Sequence, residues 1–134
     1  MTAKLSVCPT LRYKDAKTAI ALLKEAFGFT EVAVYENAEG VVEHAELAYG
    51  NGMVMLGTVR EDTAFGRAAK DLGPVSVYVA VDDPDAHHAR ARSYGVAIVR
   101  EPADQEYGSR DYLARDAEGN LWTFGSYAPE LPAG

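Results

Sequence analysis

The strongest constraint on this 134-residue chain is an internal repeat with a spacing of 67 or 68 positions. Four landmark residues recur at this spacing in the same order, as the pairs Asp15 and Asp83, Gly28 and Gly95, Gly52 and Gly119, and Gly57 and Gly125. A period of half the chain is typical of the duplication of one supersecondary unit. The sequence therefore predicts two similar modules.

The first copy is predicted to be a β-α-β-β-β unit. Apolar residues between Ala16 and Phe27 recur at helical spacing, Asp15 is suited to cap the start of that helix, and Gly28 is suited to end it. The flanking segments alternate between apolar and polar residues, as strands do. The predicted strands cover residues 5–12, 29–36, 41–49 and 53–56.

The second copy follows a linker over 60–74, which is predicted to contain at most a short helix. Valines alternate with other residues over 75–81, Asp83 and Pro84 are suited to begin a helix, and that helix extends to Tyr94 and the capping Gly95. A strand is predicted over 96–100 and a loop over 102–108. A hairpin then closes the module at residues 107–125.

The hairpin turn, Asp116-Ala117-Glu118-Gly119-Asn120, and the tandem βαβββ pattern resemble the vicinal oxygen chelate superfamily, which contains glyoxalase I, extradiol dioxygenases, and bleomycin and fosfomycin resistance proteins. The resemblance runs from about Leu5 to Tyr127 and departs at Ala117, where proline is usual. It implies an α+β fold in which two tandem βαβββ modules form a curved mixed sheet around a cleft. It also implies one domain over 1–134, with module one at about 5–58, a linker at 59–74 and module two at 75–127, and a homodimer whose cavities use both chains.

The composition of the chain limits the classes of partner that it is expected to bind. Thirteen basic against 20 acidic residues give a net charge of −7, which argues against nucleic-acid binding and would suit a cationic small molecule, or would simply maintain solubility. Because no run of about 20 apolar residues is present, no membrane partner is expected and the expected location is cytoplasmic. A lone Cys8 excludes an internal disulfide.

The resemblance also predicts where a metal would bind. Metal-dependent members hold one divalent ion with four His or Glu side chains, and their pattern falls here on Cys8, Met55, Ser76 and Thr123. None of these is an imidazole or carboxylate, the donors that such ions need. We therefore expect no metal and no cofactor.

Apolar, aromatic and hydroxyl side chains are predicted to line a small-molecule site instead. The same alignment directs Trp122 to the core, although stacking of Trp122 on a ligand remains the alternative. Residues Phe65 and Tyr107 are expected on loops at the mouth of the cleft. The candidate ligand-binding residues are Cys8, Thr10, Tyr35, His44, Glu46, Met53, Met55, Phe65, Ser76, Tyr78, Tyr107, Tyr112 and Thr123.

The histidine of the third strand and the two histidines of the second helix are expected to have different surroundings. His44 and Glu46 are two residues apart on one strand and are expected to face the cleft, as a polar pair or as an acid–base pair. His87 and His88 lie on the second helix and are expected to point to solvent.

These features favour a metal-independent protein that sequesters an aromatic or cationic antibiotic of the bleomycin, mitomycin or enediyne type, as the resemblance to bleomycin resistance proteins implies. The alternative is a glyoxalase-like lyase or isomerase that acts on a small carbonyl or epoxide substrate with His44 and Glu46. A structural or sensing module is a third possibility, since fold alone does not decide function.

Overall fold

The computed structural model of the protein describes residues 4–132, so the first three and last two residues of the predicted domain lie outside the described part. No helix within 4–132 is both long and apolar enough to cross a membrane. The elements in chain order are β1 (Thr10–Tyr13), α1 (Ala16–Glu25), β2 (Thr30–Glu36), β3 (Val42–Tyr49), β4 (Gly52–Thr58), α2 (Ala64–Ala69), β5 (Ser76–Ala80), α3 (Pro84–Tyr94), β6 (Ala97–Asp104), β7 (Arg110–Arg115) and β8 (Leu121–Gly125).

The chain forms two compact units that meet in sequence between Val75 and Ser76. Each contains one four-stranded sheet, with the order β1-β4-β3-β2 in the first and β5-β8-β7-β6 in the second. In each sheet the first strand pairs in parallel with the last, and the other pairs are antiparallel. The predicted α+β architecture of two tandem βαβββ modules is confirmed, and each module builds its own mixed sheet.

Helix α1 covers one face of the first sheet. The carboxylate of Asp15 accepts the backbone N–H of Thr18 at 3.2 Å, which caps the helix as predicted, and Gly28 has a positive φ of 80° just beyond its end. The side chains that face α1 from the sheet alternate along each strand and are almost completely buried: Leu11, Tyr13, Ala45, Leu47, Val54 and Leu56.

Helix α3 covers the second sheet in the same way, over a largely aromatic core. Trp122, Phe124 and Tyr112 are all fully buried, and Phe124 stacks on both Tyr112 and Trp122, with ring centroids 5.3 and 6.2 Å apart. Trp122 is thus a core residue. Tyr112 was predicted to bind a ligand, but its side chain is buried and faces the helix.

The two helix histidines also differ from expectation. His87 Nδ1 lies 2.5 Å from the Tyr112 hydroxyl, and its ring lies 4.2 Å from that of Phe124. His88 packs edge-on against Tyr112, and its Nε2 lies 2.6 Å from Glu101 Oε2. The prediction that both point to solvent was wrong. For His87 the reason is that Tyr112 presents a buried hydroxyl that needs a polar partner.

The largest differences in strand boundaries are at the start of β1 and the end of β6. Strand β1 begins only at Thr10, because residues 5–9 have no ladder partner apart from the Pro9 carbonyl, which accepts the Met55 N–H. Strand β6 continues to Asp104, through part of the predicted loop. Pro102 is tolerated there because β6 is an edge strand whose register shifts between Arg100 and Ala103.

The closing turn is organised by the buried side chain of Asp116. Its Oδ1 accepts the backbone N–H groups of Glu118 and Asn120, both at 3.0 Å. Its Oδ2 accepts the Asn120 amide at 3.0 Å and the Trp122 indole N–H at 3.1 Å. One carboxylate therefore joins the turn to the aromatic core, and Gly119 supplies the positive φ of 92° that the turn requires.

Two matching glycines open space on the sheets. A β-carbon on Gly57 would lie 2.8 Å from the Arg12 guanidinium and 2.6 Å from the Glu43 carbonyl oxygen. A β-carbon on Gly125 would lie 2.6 Å from the Tyr78 hydroxyl. Each glycine thus lets a long side chain of a neighbouring strand lie across the sheet.

We expect Asp116→Ala to destabilise the protein by roughly 2 to 5 kcal/mol, because it leaves the buried donors of Asn120 and Trp122 without an acceptor. The measurement is equilibrium urea unfolding. Glu106→Ala is the control, since it removes an exposed carboxylate of equal charge. Equal unfolding free energies for the two variants would contradict the role assigned to Asp116.

Candidate functional site

Each sheet has one face against its helix and one face that the helix does not cover, which we call the open face. Side-chain alternation assigns the residues of the three regularly paired strands of each sheet to the two faces, and the register shifts are confined to the edge strands β2 and β6. Tyr112 excepted, the predicted ligand-binding residues that lie within strands are on the open faces. The two open faces are described separately below.

The centre of the first open face is a row of register neighbours. Thr10 pairs with Met55, which in turn pairs with Glu46. Met53 lies one row away, opposite Ala48. Met53, Met55 and Glu46 are all partly exposed, so the row combines adaptable thioether surface with one carboxylate.

Beside this row, three predicted residues come together. His44 Nε2 lies 2.9 Å from Glu46 Oε2, and the two side chains keep 40% and 31% of their exposure. Tyr35 is the cross-strand partner of His44, and their rings stack with centroids 6.0 Å apart. Tyr35 nevertheless remains 59% exposed. One face of an aromatic ring is thus available beside a polar pair.

The two other candidates of the first unit lie outside the sheet. Cys8 precedes β1 and is partly buried. Phe65 lies on helix α2 instead of a loop, 53% exposed, with the Arg12 guanidinium 5.2 Å from its ring centroid. Phe65 therefore already has an aromatic–cation contact within its own unit.

On the second open face, Ser76 pairs with Leu121 and Tyr78 pairs with Thr123. Tyr78 lies over Gly125 and donates its hydroxyl hydrogen to the Tyr127 carbonyl oxygen at 2.6 Å. Its ring is 40% exposed. This strand pair thus presents two hydroxyl side chains and a fixed phenol ring.

A buried carboxylate, Asp111, lies next to these residues and is 4% exposed. Arg100 forms a short ion pair with its Oδ1, and the Gln105 amide donates to the same oxygen at 3.1 Å. Tyr107 donates to Oδ2 at 3.3 Å from the loop after β6. Tyr107 is itself 67% exposed and packs edge-on against Tyr127.

Both phenols near Asp111 are held in their neutral form. Desolvation, with the Asp111 carboxylate among the further causes, raises the pKa of Tyr78 and of Tyr107 above the usual value. Both hydroxyls are therefore hydrogen-bond donors at neutral pH. Neither is suited to act as a phenolate base.

The donor set does not fit a divalent metal. The four positions that the resemblance assigns to metal ligands carry a thiol, a thioether and two hydroxyls, at Cys8, Met55, Ser76 and Thr123. Within residues 4–132, no three His, Cys, Asp or Glu side chains lie close enough together to hold an ion.

Sequence reasoning missed Arg12, Arg100 and Asp111. The signal was available in the alternation of β7, where Tyr112 and Ala114 pair with the core residues Phe124 and Trp122. That register assigns Asp111 to the opposite face. Arg12 shares the face of Thr10 by the same rule.

Comparisons with known proteins agree with this architecture. The family model of the glyoxalase/bleomycin resistance protein/dioxygenase superfamily matches residues 6–124. An uncharacterized protein of Mycobacterium bovis is 29% identical over 130 residues, covering 94% of this chain and 86% of its own.

Two crystal structures extend the likeness. TioX from Micromonospora sp. ML1 has a TM-score of 0.76 and 33% identity, covering 90% of this chain and 98% of its own. UcmS2 has a TM-score of 0.69 and 22% identity, covering 95% of this chain and 100% of its own, which supports the fold alone. The chain therefore belongs to the glyoxalase/bleomycin resistance protein/dioxygenase superfamily.

Proposed function

We propose that this protein binds an aromatic or cationic small molecule on its open faces and releases it unchanged, as expected of a bleomycin-resistance-like member of the superfamily. The observation that carries the proposal is the set of exposed aromatic rings beside carboxylates. Tyr35 adjoins the Glu46 row, and Tyr78 and Tyr107 surround Asp111. Aromatic side chains with a few polar groups beside them are the usual lining of a small-molecule site.

The chemistry of these residues defines the ligand class. Planar rings stack on exposed phenols, and a positive charge is attracted both by a ring face and by a nearby carboxylate. Glu46 is the more available carboxylate, since Asp111 is already neutralised by Arg100. The net charge of −7 would speed the encounter with a cation. Antibiotics of the bleomycin, mitomycin or enediyne type are the cargo that this proposal favours.

The proposal includes a cytoplasmic homodimer, since members of the superfamily commonly share cavities between two chains. Edge strand β2 leaves Val32 and Tyr35 more than half exposed, and such an edge is suited to further contacts. Sedimentation velocity tests this part: a single species with the mass of two chains is expected. A monomer over a wide concentration range would contradict it.

For the ligand, the test is calorimetric titration with bleomycin, mitomycin C and simple flat aromatic cations. We expect Tyr35→Ala to weaken binding about tenfold, because it removes an exposed stacking ring. Tyr94→Ala is the matched control, since Tyr94 is also exposed but lies on helix α3. If the two variants lose affinity equally, the open face of the first sheet is not the binding surface.

One observation favours the alternative function, a metal-independent lyase or isomerase. The 2.9 Å contact between His44 and Glu46 is the geometry of a base and the carboxylate that orients it. Under this alternative, the His44 imidazole would donate a proton to a small carbonyl or epoxide substrate or accept a proton from it.

His44→Ala separates the two functions. A binding protein is expected to lose about tenfold or less in affinity and to return the ligand chemically intact, as measured by mass spectrometry after denaturation. An enzyme would convert its substrate and lose roughly 10² to 10⁴ in turnover with this change. Recovery of a converted compound from the unsubstituted protein would reject sequestration.

A further inference from the structure

The first unit contains a cavity of about 240 Å³ with an unusual charge for so acidic a chain. Its walls carry four cationic side chains, Arg12, Lys14, Arg60 and Lys70, against the single carboxylate of Glu61. The chain as a whole carries a net charge of −7. A local excess of positive charge on a negative protein indicates a site for an anion.

The partners of the two arginines and of Lys70 show that Arg12 lacks a counter-ion. Arg60 is paired with Glu43 at 2.9 Å and with Asp62 at 2.6 Å, and Lys70 is paired with Glu61 at 3.1 Å. Arg12 has no carboxylate partner among residues 4–132, and its side chain donates only to the Thr58 carbonyl oxygen, at 2.5 Å. Burial, followed by repulsion from Arg60, lowers the pKa of Arg12. Arginine stays protonated despite such shifts, so a partly buried positive charge is left uncompensated.

The guanidinium of Arg12 is also held in a fixed position. The ring of Phe65 covers it at 5.2 Å, and the missing side chain at Gly57 leaves the room that it occupies. Together with the hydrogen bond to Thr58, these contacts restrict the group to one orientation. A pre-positioned guanidinium binds an oxyanion at a lower entropic cost than a mobile one.

Helix α2 forms one wall of the cavity and packs closely against the backbone of Arg60. Gly66 packs against the backbone of Arg60 so tightly that a β-carbon would lie 2.1 Å from the Arg60 carbonyl oxygen. Lys70, which follows the last residue of α2, lines the same cavity. The ion pair of Lys70 with Glu61 is exposed, with side chains 58% and 66% accessible. Such a pair contributes little and can exchange its carboxylate for a bound anion.

We propose that this cavity binds a small oxyanion, the phosphate or carboxylate group of a small molecule, with Arg12 as the main contact and Lys14 and Lys70 as supporting cations. A volume of about 240 Å³ suits a compact anionic group. The planar fork of the guanidinium matches two oxygens of either group. The site does not depend on the proposed function, which concerns the rings of Tyr35, Tyr78 and Tyr107.

The test measures the thermal unfolding midpoint, Tm, of the full chain with increasing inorganic phosphate or acetate, each against sodium chloride at equal ionic strength. Saturable stabilisation by one of the two anions is expected, because a ligand that binds only the folded state raises its stability. Preference for phosphate or for acetate identifies the anion class. Arg12→Gln is expected to weaken the apparent affinity about tenfold, since it removes a charged donor.

Arg67→Gln is the matched control, because Arg67 is an exposed cation of α2 that does not line the cavity. It should leave the apparent affinity unchanged. Lys70→Gln provides a second variant at the far wall and should weaken binding by a smaller factor. The absence of a saturable shift, or equal losses for Arg12→Gln and Arg67→Gln, would overturn the proposal. Titration of the aromatic cations with the same variants reports the proposed function separately.

Discussion

A four-stranded sheet with a single helix can bury only one of its two faces, and the design of this protein depends on that limitation. Helix α1 takes the aliphatic face of the first sheet, and helix α3 takes the aromatic face of the second. Alternation then sends every second side chain to the other face, whatever its chemistry. The polar and aromatic residues on that face do not have to pack against a helix.

The two open faces use that freedom differently. The first combines methionines with His44 and Glu46, which remain partly exposed. The second places a nearly inaccessible carboxylate, Asp111, among Arg100, Gln105 and Tyr107, so that its hydrogen-bonding capacity is largely used. A fully engaged carboxylate of this kind fixes the positions of its neighbours, whereas Glu46 keeps capacity for an external partner.

Apolar periodicity, capping residues and turn residues were sufficient to predict the two β-α-β-β-β modules, and the family resemblance added the mixed sheet. The repeat, the caps at Asp15 and Asp83, and the alternation of the valines in β5 correspond directly to backbone geometry. The predictions that failed concern side chains that suit either the core or the surface. Tyr112 was assigned to a ligand because a tyrosine suits either environment, and its fate depended on the register between β7 and β8. His87 and His88 were misjudged because their partners, Tyr112 and Glu101, are distant in sequence. The cavity around Arg12 was missed for a similar reason, since it requires α2 to pack on the loop that carries Arg60.

The glycines at positions 57 and 125 have a consequence for how the two halves of such a gene can diverge. Both leave the same vacant spot on equivalent strands, yet a guanidinium occupies one and a phenol occupies the other. The duplicated scaffold thus has a small space on each sheet, and the side chain that occupies this space can change without a change in core packing. The two halves can thus present different chemistry at equivalent positions of the same scaffold.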